Sequence, residues 1–223
     1  MPIIYLVRHA QASFGSENYD RLSDLGRQQS RWLGEYFAAR GLEFTRVLAG
    51  SLVRQRDTAA EILGSMGRPD LQVEEHPGLD EYPGEALYKA FAARDPVEHQ
   101  RADYRDYWRT FRAAMQAWTQ DRLQDVPETW AQFGARIQQA LETATQGAAR
   151  EDALLVVSSG GAIGRAIADI VQSPADIAIE LNLQFRNTGF CELLASPGKL
   201  RLLSFNSIAH LETSERRSAI TFA

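Results

Sequence analysis

An arginine and a histidine stand side by side at Arg8 and His9, directly after the apolar run Ile3, Ile4, Tyr5, Leu6 and Val7. In an open parallel sheet, ligands bind at the carboxyl ends of the strands, so this pair is placed to meet an anion. A neutral imidazole nitrogen is nucleophilic at neutral pH without a separate base, and a guanidinium neutralises phosphate oxygens. Alone, the pair reads equally well as structural, so the rest of the chain has to support it. Ser51, Leu52, Val53 and Arg54, with Thr58 and Ala59, also follow an apolar run and open a helical pattern. Free N–H groups at a helix start and an arginine fork both suit a phosphate; Arg56 reads equally as a solvated helix charge. The stretch Leu79, Asp80, Glu81, Tyr82, Pro83, Gly84, Glu85 offers a carboxyl group to protonate a leaving oxygen. Phosphate-ester cleavage needs that proton because an alkoxide leaves poorly, although acids this closely spaced also read as surface charge. Finally, Val156, Val157, Ser158, Ser159, Gly160 and Gly161 form a strand ending in a glycine turn. Small residues there let backbone N–H groups approach an oxyanion, as they also do in an ordinary strand-to-helix connection.

The elements that must position these residues follow from hydrophobic patterning. Short apolar runs at Ile3 to Val7, Arg46 to Ala49, Leu71 to Glu74 and Ala153 to Val157 are each followed by a polar or glycine-containing turn and, mostly, by a helical pattern. That alternation predicts an α/β fold: a three-layer α/β/α sandwich around a mostly parallel sheet. Ser23 or Asp24 caps a helix from about Leu25 to Arg40, ended by Gly41. A second helix runs from about Leu52 to Ser65, a third from about Thr129 to Gln146, and a fourth from the glycine turn to about Val171. Residues 82–128 contain no good strand and are rich in aromatic and charged side chains, which predicts a helical cap insertion over one edge of the sheet, within one domain spanning 1–223. Cys191 to Leu194 and Leu200 to Phe205, separated by Ser196, Pro197 and Gly198, predict a closing hairpin.

Composition narrows the partners. Of 223 residues, 24 are Lys or Arg and 29 Asp or Glu, a net charge of about −5, which argues against a general nucleic-acid surface or an anionic membrane as partner. An anion site must therefore be built locally. Cys191 is the single cysteine, and His9, His76, His99 and His210 lack zinc spacing. No metal or cofactor is expected, and a reducing cytoplasm suits such a chain. The first apolar run is too short for a signal-peptide core or a membrane span.

Taken together, these motifs resemble the histidine phosphatase superfamily, also called the phosphoglycerate mutase-like family, over nearly the whole chain. Arg8, His9, Ala10, Gln11 and Ala12 approximate the family's opening Arg-His-Gly segment. Leu22 through Leu25, Gly26 and Gln29 are similar to the segment that follows; Ser51, Leu52, Arg54, Thr58 and Ala59 match the second arginine motif; Leu79, Glu81 and Gly84 are similar to the acid-bearing segment. The resemblance implies catalytic His9, which becomes a phosphohistidine that water then hydrolyses, and catalytic Glu81, the proton donor. It also implies a phosphate site from Arg8, Arg54, Gln11, Ser159 and Gly160. One position departs from the pattern: where the family carries a second histidine that donates to the phosphate, this chain has Ser159. Serine lacks the charge: one lost charge-assisted contact is worth roughly 1.5–3 kcal/mol, and loss of one preorganised donor typically costs about 10²- to 10³-fold in rate. Ala10 and Ala12 are smaller departures.

The expectation is a slow phosphomonoesterase acting on a small phosphorylated substrate. A phosphate-ligand-binding module of the same fold is the alternative favoured by Ser159. Mutase transfer ranks lower because Ala12, Ser13, Phe14 and Gly15 do not reproduce the mutases' Ser and Trp-Asn pattern. His210 is expected to be structural, His76 and His99 exposed, and Asn187 and Thr188 either to line the site or to form a strand-entry turn. Arg94, Arg101, Arg105, Arg109 and Arg112 of the insertion are either contacts for a second anionic group or solvated helix charges. Its exposed aromatics are compatible with a homodimer.

Overall fold

The computed structural model describes residues 1–13, 20–94 and 104–222, the side chains of 104–106 excepted. His99 and Arg101, and the side chain of Arg105, lie outside the described residues. Strands β1 (Ile3–Arg8), β2 (Phe44–Ala49), β3 (Val73–Glu75), β4 (Ala153–Ser158), β5 (Phe190–Ser196) and β6 (Lys199–Ser207) form one sheet in the order β3-β2-β4-β1-β5-β6. β3, β2, β4 and β1 run parallel, while β5 pairs antiparallel with β1 and with β6, which makes the expected closing hairpin. The helices are α1 (Asp24–Ala39), α2 (Val53–Ser65), α3 (Gly84–Arg94), α4 (Tyr104–Thr119), α5 (Trp130–Thr145), α6 (Gly160–Ile170) and α7 (Ala175–Gln184).

Side-chain alternation along the strands makes the layers. Tyr5, Val7, Val47, Leu155 and Val157 share a buried cluster with Leu33 and Phe37 of α1 and with Ile62 of α2. Their neighbours Ile4, Leu6, Leu48, Leu154 and Val156 join Phe133 and Ile137 of α5 and Ile163 of α6 on the other face. A continuous apolar strand such as Ile3 to Val7 is what a sheet covered on both faces requires. Leu87, Met115 and Trp118 of the insertion enter the second cluster, and the Trp118 ring lies 5.0 Å from Trp130 and 5.2 Å from Phe133. The insertion thus packs against the helical layer through Trp118. α7 has no counterpart in the sequence reading, because only Ala178 and Ile179 are buried along it and no apolar face stands out.

Helix starts follow local chemistry. The Ser23 hydroxyl accepts from Gly26 N at 2.9 Å and so caps α1, while Thr129 and Gln132 form a reciprocal capping box for α5. β3 begins two residues later than expected, since Leu71 N is taken up in a turn on Arg68 O.

The C-terminal part contains a buried titratable group with a stability consequence. His210 is buried, and its Nε2 donates to Thr188 Oγ1 at 2.8 Å, because the Thr188 hydroxyl hydrogen is given to Asn187 O at 2.7 Å. Burial, with help from the Arg216 charge, pushes the imidazole down from 6.5 to about 3. A depressed pKa means the folded state binds fewer protons than the unfolded chain, so this stability is present above about 6.5 and lost as pH falls towards 3. The expected result is a melting temperature that drops on acidification from about pH 7 to about pH 4, and drops less in His210→Gln, whose neutral amide keeps a donor but cannot titrate.

Candidate active site

The parallel register brings four loops to one end of the sheet. Arg8 pairs with Ser158 across β1 and β4, and the ladder continues with His9 N donating to Ser158 O at 2.8 Å, Gly50 N to Val157 O and His76 N to Ala49 O. Arg8 and His9, the start of α2, the loop carrying Glu81 and the glycine turn opening α6 therefore meet at the carboxyl ends of the central strands, where an open sheet forms its crevice.

His9 is only 6% exposed. Its Nδ1 lies 2.8 Å from Ala10 O, and since a carbonyl can only accept, Nδ1 carries the proton. Nε2 is left as the lone-pair nitrogen, and Arg54 Nε donates to it at 3.1 Å. Burial, then the charges of Arg8 and Arg54, hold the imidazole well below its usual pKa, so His9 is neutral near pH 7. The backbone around it is held from several directions. Ala10 N donates to Thr58 Oγ1, Gln11 N to Gln29 Oε1 at 3.0 Å, and Asn187 Nδ2 to His9 O at 3.1 Å.

Arg54, on the first turn of α2, is fixed by Asp20, whose Oδ1 accepts from Arg54 Nη1 at 2.7 Å and whose Oδ2 accepts from Val53 N at 2.8 Å. One carboxylate thereby caps α2 and orients the guanidinium. Arg8 donates from Nη1 to Phe185 O. Gly160, next to it at the start of α6, is closely approached: a Cβ would come within 2.6 Å of Asn182 Oδ1, which would have to shift.

The acidic stretch separates into distinct roles. Asp80 ties two loops together by accepting from Ser51 N and Ser51 Oγ, both at 2.6 Å. Glu85 pairs with Lys89 on the surface of α3. Glu81 turns inward, with Oε2 accepting from Gly161 N at 3.0 Å and Oε1 from Tyr82 N at 3.1 Å. Gly161 is required by that packing, because a Cβ there would stand 2.1 Å from the Tyr82 ring and 2.3 Å from Glu81 Oε1. Burial raises the Glu81 pKa against the opposing pull of those N–H groups and of Arg54 and Arg8. Its loop is clamped by Arg136, which donates to Gly78 O at 3.0 Å and Asp80 O at 2.8 Å.

Arg8, His9, Arg54 and Glu81 line one cavity of about 710 Å³. A neutral nucleophilic nitrogen, two guanidinium groups and a carboxyl group with a raised pKa are a set suited to transferring a phosphoryl group. The sequence profile of the histidine phosphatase superfamily (branch 1) matches residues 4–208. The chain belongs to that superfamily. No curated protein matches it significantly in sequence. Among solved structures, Bacillus stearothermophilus YhfR superposes with a TM-score of 0.71 at 16% identity, covering 95% of this chain and 100% of that one. A phosphoserine phosphatase of Entamoeba histolytica in complex with phosphoserine gives 0.61 at 19%, covering 95% and 100%. A mycobacterial glucosyl-3-phosphoglycerate phosphatase with inorganic phosphate gives 0.64 at 20%, covering 94% and 99%. These likenesses establish the histidine phosphatase fold.

In this superfamily member several of the other sequence-selected residues stand behind the cavity. Gln11 Oε1 accepts from Ser23 Oγ at 2.8 Å, and neither Gln11, Ser159 nor Gly160 is among the lining residues. Ser159 is fully buried, with Gln55 Nε2 donating to its hydroxyl at 2.8 Å and to Leu79 O at 3.0 Å. Asn187 and Thr188 are likewise fully buried supports. His76 caps a short 3-10 turn by accepting from Gly78 N. Of the insertion's arginines, Arg94 donates to Arg122 O, while Arg112 lines the cavity and pairs with Glu180 of α7. Asp20 and Gln55 escaped the sequence reading altogether. Among the described residues, no group of His, Cys, Asp and Glu gathers as a metal site, and no helix is long and apolar enough to cross a membrane.

Proposed function

We propose that the protein is a metal-independent phosphomonoesterase that works through a phosphohistidine at His9. The observation supporting this most directly is the tautomer: the Nδ1 proton is given to Ala10 O, so Nε2 is the unprotonated nitrogen in the cavity, its lone pair accepting from Arg54 Nε until a phosphoryl group takes that donor. Nε2 attacks phosphorus, the N–P bond forms, and the P–O bond to the leaving group breaks. Glu81 gives its proton to that oxygen. The Glu81 carboxylate then takes a proton from water, which attacks phosphorus and breaks the N–P bond, releasing inorganic phosphate. Arg8 and Arg54 bind the phosphoryl oxygens, supplying the positioning and charge neutralisation that dominate this chemistry. That two relatives of the same fold hold phosphoserine or inorganic phosphate supports a phosphate ligand here.

Ser159 makes the enzyme slow. A buried serine hydroxyl already hydrogen-bonded by Gln55 replaces a cationic donor, and loss of one such donor typically costs about 10²- to 10³-fold. The same residue favours a second reading, a phosphate-binding module without turnover. Hydrolysis of a chromogenic aryl phosphate in excess chelator separates the two. The expected result is slow turnover by the wild type and a gain of roughly 10-fold or more in Ser159→His, if the imidazole restores even part of the lost donor. No turnover by either protein, with phosphate still raising the melting temperature, establishes the binding module instead.

A further inference from the structure

We infer that the substrate of this site is a phosphomonoester whose alcohol carries an uncharged aromatic group, an inference that rests on the phosphatase reading of His9. The cavity is lined by two chemically different sets of side chains. Arg8, Arg54 and His9 lie at the sheet, and the lining also contains Tyr88 of α3, Tyr107, Trp108 and Phe111 of α4, and Phe222. The rings of α3 and α4 already pack as a set: Tyr88 and Tyr107 are stacked at 5.5 Å, and Tyr107 and Phe111 are stacked at 6.2 Å. Trp108 meets the Phe111 ring edge to face at 5.7 Å. A ring inserted among them gains the same offset and edge contacts. At about 710 Å³ the cavity is far larger than a phosphoryl group needs and lies within the usual range for small-molecule sites.

Charge among the described lining residues of this part of the cavity is already paired. Arg112 is engaged by Glu180, and Glu85 by Lys89. A carboxylate-bearing or polyphosphorylated alcohol that used Arg112 would have to displace Glu180. An aromatic alcohol meets no such cost. Two of the rings are well placed for specificity without being needed for folding, since Tyr107 is 45% and Phe222 50% exposed. Phe222 is held against the site through Thr221, whose hydroxyl donates to Asn187 Oδ1 at 2.8 Å and whose carbonyl accepts from Asn187 N.

Leaving-group reactivity must be kept constant to test this, so alkoxide leaving groups are compared. The purified protein is assayed with 2-phenylethyl phosphate, n-propyl phosphate and O-phosphoserine. In parallel, binding of the non-hydrolysable 2-phenylethylphosphonate and 2-carboxyethylphosphonate is measured by calorimetry. The expected result is kcat/KM at least about tenfold higher for the phenylethyl ester than for either other ester, and a matching preference in binding. In Tyr107→Ala and Phe222→Ala that ratio falls several-fold through KM, and Tyr107→Phe retains it. Equal or better use of O-phosphoserine, or ratios untouched by both alanine variants, overturns the inference while leaving phosphatase activity standing. Tight, ring-dependent phosphonate binding with no turnover of any ester overturns the phosphatase reading instead and leaves the ligand class intact.

Discussion

His9→Ala is expected to lower phosphate-ester turnover by roughly 10⁴-fold or more, the scale seen when a covalent nucleophile is removed from an otherwise intact site. The loss should lie in kcat, because Arg8 and Arg54 keep their own anchors, Phe185 O and Asp20 respectively, when the imidazole is gone. Inorganic phosphate should therefore still bind His9→Ala within about tenfold of wild type by calorimetry, since uniform binding and chemistry are separable. Folding should survive as well. The imidazole makes two hydrogen bonds, to Ala10 O and from Arg54 Nε, each worth about 1 kcal/mol, and its removal relieves a buried group that the two arginines already disfavour as a cation. Rapid mixing and quenching at alkaline pH should show phosphate on His9 of the wild type and none in His9→Ala. Retention of turnover in His9→Ala would place the nucleophile elsewhere and end the phosphohistidine mechanism.

The residues that surround His9 explain why so much of this site could be read in the sequence and why some of it could not. Local signals worked where one segment determines its own structure. The run Ile3 to Val7 required burial on both faces and became a central strand, so His9 had to emerge at its carboxyl end. Ser23 or Asp24 announced the start of α1, with Ser23 the cap in the structure, and the glycine turn after Ser159 opened α6. Partnerships across the chain left no such trace. Asp20 sits in a polar stretch with no periodic pattern, yet its carboxylate orients an arginine 34 positions away. Gln29 reaches 192 positions to Thr221 while also holding the Gln11 backbone. Gln55 looked like any polar residue on a helix, but it is fully buried and bridges Leu79 O to Ser159. Gln11 was expected on the phosphate, and nothing in the sequence signalled that its amide oxygen also accepts from Ser23, the cap of the neighbouring helix. Composition could not rank Asp80, Glu81 and Glu85 either. Their separation depends on Ser51 claiming one, Lys89 another, and the Gly161 and Tyr82 N–H groups turning the third inward.

Glu81→Gln carries the second large effect, and its magnitude should depend on the leaving group. For an alkyl phosphate the departing alkoxide requires the proton, so turnover should fall by roughly 10²- to 10⁴-fold. For an aryl phosphate with a stabilised phenolate the fall should be much smaller. Wild-type kcat/KM should rise from the acid side as His9 loses its proton, below its usual pKa, and fall on the alkaline side as Glu81 ionises, above its usual pKa. The alkaline limb should disappear in Glu81→Gln, because an amide does not titrate, while the acid limb persists. The comparison between leaving groups is needed because glutamine is not a neutral replacement here. Both carboxyl oxygens accept from backbone N–H groups, those of Gly161 and Tyr82, and an amide can satisfy only one of them through oxygen while its NH₂ faces the other. A purely structural disturbance would slow alkyl and aryl esters alike and leave both pH limbs in place. A loss confined to poor leaving groups, accompanied by loss of the alkaline limb, can arise only if Glu81 delivers the proton.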